Sequence, residues 1–98
     1  MDNPVVTAVD AVVPSERETE LVDGFRRMTE SSLPEGLLRT ELLRGQEGHW
    51  RIQSTWRDLA TVKALRASGA RPAAQDLLES VGATHTHDVF FVEHGFSQ

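Results

Sequence analysis

The chain has 98 residues, 39% of them hydrophobic, no cysteine and a net charge of −5. That length holds one domain with a modest core, and the missing thiols exclude a disulfide framework and thiolate chemistry. The ten lysines and arginines are scattered among fifteen acids, so the basic patch that nucleic acid requires is absent. No run approaches the ~20 apolar residues of a membrane span, and the N-terminus lacks the basic and apolar regions of a secretory signal. A cytoplasmic protein that binds neither nucleic acid nor membrane is the expectation.

A single domain over residues 1–98 is expected, with 1–4 as a loose leader. Val5 to Val13 is valine-rich and reads as a first strand that Pro14 stops. Ser15 and Glu18 have the spacing of a capping box, and Leu21, Val22, Phe25 and Met28 keep helical spacing up to about Ser31. Pro34-Glu35-Gly36 is a tight turn into a second strand, Leu37 to Arg44, whose Leu37-Leu38 and Leu42-Leu43 pairs blur the alternation. Gly45 to Gly48 is a hairpin loop, and His49 to Trp56 alternates as a half-buried third strand. Trp50, Ile52, Ser54 and Trp56 share one face; Arg51, Gln53 and Thr55 share the other.

Asp58 caps a second helix that breaks at Ser68-Gly69-Ala70-Arg71. Pro72 restarts a third helix, Gly82 stops it, and Thr84 to His94 reads as the last strand. The order strand, helix, strand, strand, broken helix, strand is the split β-α-β, ferredoxin-like α+β arrangement. It implies a four-stranded antiparallel sheet with helices on one face, and a second copy of the sheet is the economical cover for the other.

Several residues can carry chemistry. Asp10 interrupts the valine strand, where a charge needs a partner or a shifted pKa; it is either a base towards a phenol or the partner of an arginine. His85 and His87 share a strand face, and His87 is a candidate proton-transfer group. Two ligands do not make a metal site, and none is expected. Trp56 offers a stacking surface for a planar aromatic, whereas Trp50 reads as packing. Phe25, Met28, Ile52 and Phe90 are core residues or lining of the same cavity, and Arg71, at the helix break, is solvated or holds a substrate oxygen.

Three ordered segments resemble the antibiotic biosynthesis monooxygenase family of the dimeric α+β barrel superfamily. They are the valine strand running into a long amphipathic helix, the turn Leu33 to Gly36 leading into Leu37-Leu38-Arg39-Thr40-Glu41-Leu42, and the third strand ending in Trp56 before a capped helix. The resemblance implies a homodimer with its sheets face to face, and in each subunit a pocket, lined by Trp56, between helices and sheet. It implies oxidation of small aromatic, polyketide or quinol-like compounds by molecular oxygen without metal or flavin, or, in a second branch, haem degradation.

The chain departs from both branches. The polyketide oxygenases are similar in having an asparagine where this strand has Ile52 and a tyrosine in the next helix; this chain has no tyrosine. The haem branch has an asparagine in the first strand and a histidine after the tryptophan. Here Asp10 is the polar residue of the first strand, and no histidine lies between Trp56 and His85. The expectation is a cofactor-free monooxygenase in which Asp10 or His87 deprotonates a phenol, the resulting carbanion reacts with oxygen, and a dry pocket beside Trp56 protects the intermediate. The alternatives are a non-catalytic binder of hydrophobic ligands or a dimerisation module, then haem handling or a polyketide cyclase.

Overall fold

Alternation sets the strands and helical spacing the helices, and a computed structural model describes the outcome for residues 3–31 and 33–97. Met1 and Asp2 of the expected leader lie outside the described residues. Four strands form, β1 (Val5–Val12), β2 (Leu37–Arg44), β3 (His49–Trp56) and β4 (Thr84–Phe91), with helices α1 (Glu18–Glu30), α2 (Leu59–Ala67) and α3 (Ala73–Ser80). All neighbouring strands are antiparallel, in the order β2-β3-β1-β4, which is the ferredoxin-like sheet. The blurred alternation at Leu37-Leu38 is a register shift between Leu37 and Arg39.

Antiparallel partners point the same way, so register sorts the faces. Val5, Thr7, Val9 and Ala11 share a face with Trp56, Ser54, Ile52 and Trp50 of β3, and with Val89, His87 and His85 of β4. On this face Val9, Ala11, Trp50 and Ile52 build the core with Leu21 of α1, Leu78 of α3 and Val81. The opposite face carries Val6, Ala8, Asp10 and Val12 of β1, Arg51 and Gln53 of β3, and Asp88 and Phe90 of β4. Val12, Leu43 and Phe90 are exposed there.

Three local expectations need correction. The capping box does not form. Residues Ser15–Arg17 make a 3-10 turn, α1 begins at Glu18 without a side-chain cap, and the Glu18 carboxylate is used elsewhere. Pro72 stands just before α3 as its N-cap rather than as its first residue. β4 ends at Phe91, three residues early, because its partner β1 begins at Val5; the Val92 N–H still donates to the Pro4 carbonyl, but proline has no N–H to continue the ladder. The Asp58 cap forms as expected, its Oδ1 accepting from the Thr61 N–H at 2.8 Å. The Thr61 hydroxyl, which donates to the same oxygen at 2.7 Å, and then that N–H hold the Asp58 carboxyl below its usual pKa. Gly36 closes the turn into β2 with φ +89°, a conformation that suits glycine.

Candidate functional site

A groove of ≈ 490 Å³ opens between α1 and the β2–β3 hairpin, lined by Val22, Phe25, Arg26, Thr29, Leu42, Arg44 and Trp50. That size is within the roughly 300–1,000 Å³ of small-molecule sites. The amphipathic stripe of α1 supplies one wall. The hairpin supplies the other, because its register sets Arg44 opposite Trp50. Trp50 forms the floor and is only 3% exposed. Its indole N–H donates to Glu18 Oε2 at 2.9 Å, satisfying the one polar atom of a buried ring. The Arg44 guanidinium lies over that ring, 4.3 Å from its centroid, so a cation is layered on the aromatic floor of the groove.

Trp56, expected to line the pocket, does not line this groove. It stands at the other end of β3, half-buried, with its N–H donating to the Thr7 hydroxyl at 3.0 Å. Beside it, Thr40 and Ser54 hydroxyls are 3.0 Å apart, which satisfies the buried Ser54. Phe25 is the one expected lining residue that the groove contains. Ile52 is fully buried in the core, and Met28 is half-buried on α1 outside the lining. Phe90 lies on the opposite sheet face, across from Val6. Arg71 is held by Asp76 at 2.6 Å and Glu79 at 2.9 Å, so its guanidinium braces α3.

Asp10, Trp56 and His87 do not meet. Asp10 is on the sheet face away from the helices and pairs with Arg51 at 2.9 Å and His49 at 2.8 Å. The Arg51 hydrogen bond leads in holding its carboxyl below the usual 3.8, outweighing burial. Asp10 is therefore an ion-paired group. His87 is on the helix-covered face but lies opposite Val9, while Trp56 lies opposite Val5. That offset is about 13 Å along the sheet and about 10 Å across it. Arg66 approaches His87 Nε2 at 3.4 Å and can only donate, so Nε2 accepts and Nδ1 carries the proton. The protein around the ring and the Arg66 charge lower its pKa below the usual 6.5.

A pH dependence of stability follows from these two groups. Each has a folded-state pKa below its unfolded one, so its contribution is complete above the unfolded value and is lost as pH falls through the folded value. The His87 window opens below 6.5 and the Asp10 window below 3.8. Urea unfolding at stepped pH is expected to show stability already declining below about pH 6.5, and His87→Gln is expected to flatten that limb while leaving the acid limb.

The fold is that of an α+β protein of ferredoxin-like topology, with a groove between α1 and the β2–β3 hairpin. The sequence model of the antibiotic biosynthesis monooxygenase family matches residues 4–77, and the chain belongs to that family. Among solved structures, a variant of SnoaB, a cofactor-independent oxygenase from Streptomyces nogalater, is similar at 17% identity and TM-score 0.73 over 98% of this chain and 99% of that one. A haem-degrading protein from Mycobacterium tuberculosis, heme free, is similar at 24% identity and TM-score 0.70 over the whole of both chains. At these identities the two likenesses establish the fold. No curated protein sequence matches the chain.

Haem iron takes an axial ligand, usually histidine, cysteine, methionine or tyrosine. None of these lines the groove, so its residues do not fit haem. Among the described residues no cluster of three or more His, Asp or Glu side chains could hold a metal ion, and no helix is long and apolar enough to cross a membrane.

Sequence reasoning missed Arg26, Arg44 and the groove position of Trp50. One signal was available. A four-residue loop, Gly45–Gly48, brings Arg44 beside the first residues of β3, and an arginine cross-strand from a tryptophan is a stacking pair.

Proposed function

We propose that the chain is a homodimeric, cytoplasmic, cofactor-independent oxygenase of small planar aromatic or quinol-like molecules, bound in the groove over Arg44 and Trp50. The observation that carries this reading is the groove itself, with Phe25, Val22 and Leu42 as apolar walls and a guanidinium-on-indole floor, in a chain of this family. A flat ring fits such walls, and stacking on a guanidinium is favourable. An electron-rich phenol or quinol brings its own reducing electrons. Once it is deprotonated, its carbanion adds oxygen, and loss of water leaves a carbonyl: a CH2 group and O2 become C=O and H2O. The protein's tasks are to bind, orient and exclude water. The homodimer rests on the uncovered sheet face, where Val12, Leu43 and Phe90 are exposed and Arg51 neutralises Asp10.

A second reading is favoured by one observation. No carboxylate or histidine lines the groove, so it contains no general base, and the chain would then bind aromatics without turning them over. Oxygen uptake separates the two. With an anthrone substrate, the purified protein is expected to consume one O2 per anthrone oxidised, above the protein-free rate. Binding without uptake establishes the second reading instead.

A further inference from the structure

The groove carries two guanidinium groups, Arg26 and Arg44, and no carboxylate, in a chain whose net charge is −5. Both arginines have acidic neighbours at the loose end of ion-pair distance. Arg26 Nη1 is 3.5 Å from Asp23 Oδ1, and Arg44 Nη1 is 3.8 Å from Glu18 Oε1. Four other arginines are held closer: Arg17 at 2.8 Å from Glu20, Arg39 at 2.9 Å from Glu41, Arg51 at 2.9 Å from Asp10 and Arg71 at 2.6 Å from Asp76. Glu18 is further committed, because its second oxygen accepts the Trp50 N–H. The forked donors that suit a carboxylate or oxyanion are therefore only loosely engaged where they line the groove.

We infer that Arg26 and Arg44 select the anionic form of the groove's aromatic ligand. The ring packs on Phe25 and on the Arg44 guanidinium, and a carboxylate, phenolate or enolate oxygen sits between the two arginines. This rests on the aromatic-binding reading of the groove and adds the charge of the ligand and the residues that read it. It also accounts for a groove without a base. Two cations that hold the oxyanion lower the phenol's pKa, so the ligand can lose its proton to bulk solvent as it enters and the arginines keep the anion.

Matched probes test this by calorimetry and absorbance. 2-Naphthoate is expected to bind about tenfold more tightly than the isosteric neutral 2-naphthamide, as one charge-assisted hydrogen bond warrants. Bound 2-naphthol is expected to ionise about one pH unit below the free compound. A naphthoate preference alone identifies a carboxylate substituent as the anion, and a naphthol shift alone identifies the ring oxyanion; either supports the inference. The preference is expected to vanish in R26Q/R44Q, to persist in R26K/R44K and to weaken with salt, because both side chains are exposed. Equal affinity for naphthoate and naphthamide with no naphthol shift overturns the inference and leaves the aromatic groove standing. A preference that survives R26Q/R44Q also overturns it. If none of the probes binds, the inference and the aromatic groove fall together.

Discussion

Replacing Trp50 with alanine is expected to destabilise the fold by about 3–5 kcal/mol and to abolish binding of aromatic ligands. Three contacts are lost together. The ring is packed in the core with Val9, Ala11, Leu21 and Ile52, its N–H satisfies Glu18, and its face carries Arg44. In a domain this small each kcal/mol moves the melting temperature by about 4–8 °C, so the loss is read easily by urea or thermal unfolding. Trp56→Ala is the internal comparison. Trp56 is half-buried, and its hydrogen bond is to a single hydroxyl on Thr7. Its removal is expected to cost less than Trp50→Ala and to leave ligand affinity nearly unchanged. Equal losses of stability and affinity in the two variants would show that the core and the groove do not both centre on Trp50.

Phe90→Asp is expected to convert a dimer into a monomer. Phe90 is 50% exposed on the sheet face that no helix covers, opposite Val6 of β1. In a sheet-on-sheet dimer that side chain meets the partner's apolar surface. An aspartate there buries an unpaired charge, at a cost of several kcal/mol. In the isolated subunit the same carboxylate faces water, so stability changes little. Sedimentation velocity at micromolar concentration checks both halves, with the parent sedimenting as a dimer and the variant as a folded monomer. A parent protein that is monomeric at those concentrations contradicts the homodimer.

The fold was legible in the chain because each element carries its own period. Val5–Val12 is valine-rich, His49–Trp56 alternates, α1 repeats its apolar residues at helical spacing, and Asp58 and Gly36 mark a cap and a turn. Misplaced features are those that depend on a distant partner. Ser15 and Glu18 have capping-box spacing, but the Trp50 indole and Arg44 hold Glu18, 32 and 26 positions away. The end of β4 depends on where Pro4 lies.

The candidate site was less legible for the same reason. Asp10, His87 and Trp56 are the residues whose chemistry stands out in one dimension, yet register alone decides whether they meet. Trp56 pairs with Val5, so odd-numbered residues of β1 share its face and Asp10 cannot. The groove residues Arg26 and Arg44 look like ordinary solvated charges in sequence. Their meaning comes from α1 lying along the hairpin, which no local pattern reports.

The central claim is that the aromatic ligand sits over Trp50 and not beside Trp56. With two tryptophans in the chain, single Trp→Phe variants make each indole a lone reporter. Titration of an anthraquinone-type ligand into Trp56→Phe, which keeps Trp50, is expected to quench the emission saturably with the calorimetric affinity. The same titration of Trp50→Phe is expected to give a much smaller change at Trp56. Saturable quenching carried by Trp56, with Trp50 unaffected, would contradict the account.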